Sequence, residues 1–301
     1  MKTFFDCIPC FVRQALDAIR RATDDETVHE DVLREALRAI SEMDLRGSPP
    51  AMGYTIHRLV RDRVGEGDPY REMKDESNRY ALELYPDLQE QVQNSSNPLE
   101  TAVRLAIAGN IIDVAVKSDM DHRNVKHAIH RALSAPFEAD LEGFAKAVAE
   151  AERILYLADN AGEIVLDRLL LERLPLERVT LVVRGAPVIN DATMVDAQAA
   201  GLTELVEVMD NGADVPGTIL ELSSELFRQR FDAADLVIAK GQGNYETLSE
   251  VPKDIFFILL AKCPVIARDI GCNVGELVLR RSNHVGVSQS EDDTPNLTAA
   301  R

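Results

Sequence analysis

The chain predicts an α/β fold: a helical N-terminal segment, then a Rossmann-like, mostly parallel sheet with helices on both faces. Three observations predict it. Residues 1–150 carry apolar side chains at three-to-four spacing. From residue 153 the pattern changes to short Val/Ile/Leu-rich runs separated by helical stretches, as in a parallel sheet covered on both sides. Finally, the run 153–158, the turn Asp159-Asn160-Ala161-Gly162-Glu163 and the periodic stretch from Ile164 read as strand, tight turn and helix.

The elements follow in order. Helices are expected over 11–21 and 28–40. Ser48-Pro49-Pro50 breaks the chain and starts the next helix, which contains Ile56 and Val60. Asp68-Pro69 opens another that runs to about Leu84, where Tyr85-Pro86 interrupts it. Residues 94–98 are a loop. An apolar helix over 99–108 ends near Gly109-Asn110, and helices over 122–133 and 141–150 follow. Strands are expected at 153–158, 179–184, 204–208, 235–239 and 264–268, with another near 284–287. Helices fill 162–174, 191–200, 216–229 and 244–250. The implied division is a helical domain over 1–150, an α/β domain over 151–288 and a polar tail over 289–301.

The bulk properties exclude several classes. The chain has 301 residues and a formal charge of −18, and only 8 of its 33 basic residues are Lys. Such a field repels nucleic acid. No apolar run reaches the length of a membrane span, and the start is not a signal peptide, so a cytoplasmic protein is the expectation. No protein partner is indicated. Four cysteines, Cys7, Cys10, Cys263 and Cys272, are expected to be reduced. Cys7-Ile8-Pro9-Cys10 is a single C-x-x-C, and Cys263 and Cys272 complete a zinc site only if the two ends of the chain meet. Thiols buried on the first helix are the plainer expectation.

Three strand ends carry the candidate chemistry. Ligands of open α/β sheets bind at the carboxyl ends of strands. Asp159 beside Asn160 supplies two hard oxygen donors there, the type Mg²⁺ or Mn²⁺ prefers. The second end leads through Gly185 to Asn190-Asp191, and the third runs into Lys240-Gly241-Gln242-Gly243-Asn244. Helix caps and ordinary turns explain each piece singly; the repetition at three successive strand ends favours a site for a metal and a phosphate.

With these residues in view, the chain resembles the damage-control phosphatase family, once called domain of unknown function 89, in its prokaryotic branch. The resemblance covers nearly the whole length. It rests on Asp159-Asn160-Ala161-Gly162-Glu163, Arg184 through Thr193, Lys240 through Glu246, Ala108-Gly109-Asn110-Ile111-Ile112-Asp113 and Cys7-Ile8-Pro9-Cys10-Phe11-Val12-Arg13-Gln14. The resemblance implies phosphatase activity on small phosphometabolites with a divalent metal (Mn, Co, Ni or Mg). It implies Asp159, Asn160 and Asp191 as metal ligands, and Glu163 and Lys240, Gly241, Gln242, Gly243 and Asn244 as substrate contacts. A further substrate lysine has its nearest match in Lys262. Asn110 and Asp113, three apart on one helix face, reach the cleft or satisfy a helix end.

On this reading Asp159, Asp191 and Lys240 are the catalytic set. A phosphate monoester resists water, so catalysis must offset charge on the phosphoryl oxygens and align a nucleophile in line. Lys240 adds a point charge on the phosphoryl group, and Gly241 and Gly243 allow an anion-binding nest of N–H groups. The favoured nucleophile is a metal-activated water; an aspartyl-phosphate on Asp159 or Asp191 competes with it. Two other functions stay open: an S-adenosylmethionine-dependent carboxyl methyltransferase, though no Gly-x-Gly turn follows the first strand, and a non-catalytic phosphometabolite sensor.

Overall fold

A computed structural model describes residues 1–282 of the chain, except 66, 118–121, 136 and 138. Seven helices come first among them: α1 (Ile8–Ala22), α2 (Glu26–Glu42), α3 (Pro49–Val64), α4 (Arg71–Gln93), α5 (Pro98–Lys117), α6 (His122–Ser134) and α7 (Leu141–Glu150). Strands and helices then alternate: β1 (Ile154–Leu157), α8 (Glu163–Leu171), β2 (Val179–Val183), α9 (Met194–Ala199), β3 (Glu207–Asp210), α10 (Glu225–Ala233), β4 (Leu236–Lys240), α11 (Gly241–Leu248), β5 (Ile255–Leu260), α12 (Pro264–Ile270) and β6 (Leu277–Arg281).

The strands form one sheet in the order β3-β2-β1-β4-β5-β6. The pairs from β3 to β5 are parallel, and β6 closes the edge antiparallel to β5. The order reverses between β1 and β4, the switch point at which such sheets open a crevice. Side chains alternate along β1. Ile154 and Tyr156 face a core shared with α4, α5 and α8, whereas Leu155 and Leu157 face one shared with α1, α3, α10 and α11. The helical segment therefore covers both faces of the sheet. Ala18, Ile19, Val32 and Val60 form a small apolar cluster of its own. No described helix is long and apolar enough to cross a membrane.

Several expected boundaries move, each for a physical reason. The run 264–268 is helix α12, not a strand, because Pro264 occupies its first turn and is pre-set for helix. The strand lies instead at β5, a continuous run of six apolar residues that the sequence reading passed over. The segment 216–229 turns through a short 3-10 helix (Leu220–Leu222) before α10 begins. Helix α4 continues through Pro86. Pro86 and Leu82 are both exposed, so the proline sits on the outer face of the helix. Helix α5 likewise runs past Gly109-Asn110. The glycine is used for close packing: a Cβ on Gly109 would lie 3.0 Å from Cα and Cγ of Glu163 on α8. The expected strand near 284–287 and the tail over 289–301 fall outside the described residues.

Candidate active site

Main-chain bonds bring the two acidic turns together. Ala192 N–H donates to the Asp159 carbonyl at 2.8 Å, and Ala161 N–H donates to the Asn190 carbonyl at 2.9 Å. Asn160 and Asp191 form an isolated antiparallel bridge. Asn190 Nδ2 then donates to Asn160 Oδ1 at 2.8 Å. Ile189, just before this clip, has a φ of 44°, which a β-branched residue adopts only under strain. Gly241 opens α11 against the other side. Its φ is +79°, and a Cβ there would stand 1.9 Å from Asp159 Oδ2, so the carboxylate and the helix start approach as only glycine permits.

A cavity of about 410 Å³ opens over these strand ends. Asp159, Asn160, Asp191, Gln242, Gly243 and Lys262 all line it. Cys7, Cys10, Phe11, Gln14, Pro49 and Gly53 of the helical segment form the facing wall, and Pro216, Cys263 and Val265 contribute from the α/β part. Cys7 and Cys10 thus share a cavity with Cys263, but Cys272 does not line it. Cys7 is buried but Cys10 is exposed, so the thiols do not share the buried setting expected of them. Burial pushes the Cys7 thiol up.

Beneath the cavity lies a fully buried polar layer. Lys240 Nζ donates to Glu163 Oε1 at 2.7 Å, to the Ala106 carbonyl at 3.0 Å and to Asp167 Oδ1. Its three donors are used, and it does not line the cavity. The point charge expected of Lys240 on a phosphoryl group is therefore spent on carboxylates of α8, one turn apart at 163 and 167. Burial alone lowers such an ammonium, but Asp167 and Glu163 outweigh it and hold Lys240 above its ordinary value. Asn110 Nδ2 donates to Glu163 Oε2 at 2.6 Å, and Asn160 Nδ2 to the same oxygen at 3.0 Å. Asn244 is also used internally: Nδ2 donates to the Lys240 carbonyl at 2.7 Å, and Oδ1 accepts from Thr218 Oγ1 at 2.7 Å. Of the expected substrate contacts, Gln242, Gly243 and Lys262 reach the cavity. Glu163, Lys240, Gly241, Asn244 and Asn110 stand outside its lining. Asp113 lies on α5, and its side chain is outside the described residues.

Charge in this layer is unbalanced. Asp159, Glu163, Asp167 and Asp191 are buried, and the buried cations among them are Lys240 and Arg184. Arg184 Nε donates to Asp191 Oδ2 at 2.7 Å. Lys74, also buried, pairs with Asp196 at 3.0 Å, and Lys262 sits exposed on the rim. Lys262 also acts on Asp159 and Lys74 on Asp191, yet the buried carboxylates outnumber the buried cations in contact with them. Desolvation, then the neighbouring Glu163 and Asp191, push Asp159 well above the carboxylate range. Desolvation also raises Asp191, against the pull of Arg184. Among the described residues no three His, Cys, Asp or Glu side chains are placed to hold an ion. The two aspartates need the Asn160 amide oxygen as the third donor, and this all-oxygen set fits a hard cation.

Two residues of this site were not singled out from the sequence. Arg184, inside a quoted motif, is the buried counter-charge of Asp191. Glu246 ends the Lys240 motif and lines the cavity; its spacing of four from Gln242 on α11 was the available signal.

The fold and site define a class: a Rossmann-like α/β protein with buried carboxylates at its switch point, roofed by helices. The chain belongs to the damage-control phosphatase ARMT1-like domain family, whose model matches residues 3–278. It is 35% identical to a damage-control phosphatase of Archaeoglobus fulgidus, covering 91% of this chain and 97% of that one. It is 36% identical to an uncharacterized protein of Methanocaldococcus jannaschii, with 91% and 93% covered. A crystal structure of a DUF89 family protein from Pyrococcus horikoshii superposes with a TM-score of 0.85 at 32% identity, covering 94% of this chain and 99% of that chain.

Proposed function

We propose that the chain is a divalent-metal-dependent phosphatase of small phosphorylated metabolites, working in the cavity above Asp159, Asn160 and Asp191. The observation that supports the metal is that Asp159 and Asp191, both buried and both pushed up by burial, line the cavity beside the Asn160 amide. Asp159, Asn160 and Asp191 would hold the ion, with Mn, Co, Ni or Mg as the candidates for an oxygen-only set. When bound, the ion supplies Lewis-acid stabilisation of charge on the phosphoryl oxygens.

The chain's own residues do the rest. Arg184 holds one carboxylate oxygen of Asp191, which lines the cavity. Lys240 acts from below: it clamps Glu163, which in turn orients the Asn160 amide. Gln242 and Gly243 at the start of α11 line the substrate side, and Lys262 offers a cation at the rim. Phe11, Pro49, Pro50, Pro216 and Val265 wall the cavity with apolar surface. They suit a small organic leaving group. The names of the Archaeoglobus and Pyrococcus relatives support phosphate removal.

The test is phosphate release by protein stripped of metal and then given each metal separately, against a panel of sugar and other small phosphomonoesters. Asp191→Asn is the control, and metal binding is followed independently by calorimetry. Turnover that needs metal and is lost in the folded variant supports the reading. Folded protein that takes up metal yet releases no phosphate from any member sinks it and returns the sensor to first place.

A further inference from the structure

A phosphatase acting on an alkyl phosphate needs more than charge stabilisation. The departing alkoxide is a poor leaving group, and a proton delivered to it contributes roughly 10²–10⁴-fold. Most polar groups at this site are already committed. Asp159 and Asp191 are the proposed ligands, Glu163 and Asp167 hold Lys240, and Lys240 has no donor left. Asp6 also lines the cavity but is exposed to water.

Glu246 differs from all of these. It lines the same cavity as Asp159, Asn160 and Asp191, and its side chain makes no ion pair among the described residues. It lies four residues beyond Gln242 on α11, whose first residue, Gly241, abuts Asp159. Gln242 and Glu246, one turn apart on α11, both line the cavity over the aspartates. Gln242 Nε2 donates to Glu246 Oε1 at 3.1 Å and fixes its rotamer. Gln242 Oε1 is buried without a hydrogen-bond partner. It is a ready acceptor for a hydroxyl formed beside it.

We propose that Glu246 is the general acid of this site, protonating the leaving-group oxygen of an alkyl phosphate. The inference rests on the phosphatase reading above. As water attacks phosphorus, the bond from phosphorus to the leaving oxygen breaks and its electron pair stays on that oxygen. The oxygen takes the Glu246 proton and leaves as an alcohol. The dihydrogen phosphate formed from water and the phosphoryl group returns one proton to the Glu246 carboxylate, directly or through solvent, and leaves as monohydrogen phosphate.

The surroundings keep this acid protonated near neutral pH. Desolvation raises Glu246 to about 7, against the hydrogen bond from Gln242 and a weak pull from the Met1 ammonium. That ammonium donates to the Glu246 carbonyl at 2.8 Å. The Cys7 thiol also faces Glu246. Asp6, Cys10, Asp159, Asp191, Lys262 and Cys263 share the cavity wall.

Leaving-group dependence tests the proposal. Wild type and Glu246→Gln are compared on para-nitrophenyl phosphate, whose leaving group needs no proton, and on glycerol phosphate, whose leaving group does. The expected result is a loss of kcat of roughly 10²-fold or more on the alkyl ester, with the aryl ester changed by no more than about threefold. The basic limb of the alkyl pH profile, falling above about 7 in wild type, disappears in the variant. Equal losses on both esters, or none on either, overturn the proposal. Wild type inactive on every ester with every metal overturns the phosphatase reading and this inference together. A readout without turnover covers a variant that folds poorly: infrared titration of metal-free wild type. A carboxylic-acid C=O band lost near pH 7, and absent from Glu246→Gln or shifted in Glu246→Asp, supports the assignment. Absence of any such band in wild type overturns it.

Discussion

The two edges of the sheet treat charge differently. At the carboxyl edge, Lys240 pairs with Glu163 with neither side chain exposed, and Arg184 and Asp191 are 1% and 6% exposed. At the amino edge, Arg153 with Asp235 and Arg230 with Glu207 leave 38–65% of each side chain in water. The amino edge also carries the larger cleft, about 630 Å³, lined by Arg153, Arg178, Glu207 and Arg230. Size therefore does not single out the proposed site. Exposed pairs are screened and contribute little, whereas buried charges are costly and persist where surrounding bonds hold them in place. The smaller cavity sits above the edge where charge has been taken out of water, and there an electrostatic device is worth most.

The largest test of that contrast is Lys240→Met. It removes the counter-charge from Glu163 and Asp167 and should cost about 3–5 kcal/mol of stability, read from urea unfolding. A loss below about 1 kcal/mol would mean the carboxyl edge is no different from a surface.

Second in size is the acid response of His57. This buried base hydrogen-bonds Gln14 on the cavity wall at 3.3 Å, and desolvation, aided by Arg61, lowers it to about 4. An unfolded histidine titrates near 6.5. Between about 6.5 and about 4 the unfolded chain binds a proton that the folded one does not, so stability falls as pH falls through that window. The contribution approaches about 3 kcal/mol, and His57→Gln should flatten that part of the profile.

Third, cation binding should tighten as pH rises. Asp159 and Asp191 are both raised, so a proton competes with the ion for each of them. Calorimetry should record proton release and roughly a tenfold gain in affinity per pH unit for each proton displaced. Affinity independent of pH would remove these carboxylates from the ligand set.

The smallest expected effect is at the other edge. Arg153→Ala breaks an exposed pair with Asp235 and should cost less than about 1 kcal/mol, with turnover unchanged. A larger loss would erase the distinction between the edges.

Much of this architecture was legible in the chain because strand and helix periods are local. β1, β2 and β4 appear as continuous apolar runs, and Asp159 just after β1, Asn190-Asp191 in the loop after β2 and Lys240 at the end of β4 are the residues the sheet brings towards its switch point. β5 was legible too, as Ile255-Phe256-Phe257-Ile258-Leu259-Leu260, but the shorter run after Pro264 was read as the strand in its place. Lys240 marks where local reading stops. A Lys-Gly turn at a strand end has the composition of an anion site. The direction of its side chain depends on Asp167 and on the Ala106 carbonyl, 73 and 134 residues away in sequence.

By itself, the sequence determined the class of fold and placed acidic and amide side chains at three strand ends, since each follows from residue type and short-range spacing. Tertiary structure alone decided which of those residues face the cavity and which stand beneath it. It also decided that Cys7, Phe11 and Gln14 close the cavity from the opposite side. The physical reason is desolvation. Whether a lysine offers its charge to a ligand or spends it on buried carboxylates depends on what surrounds it in three dimensions, and no spacing along the chain encodes that.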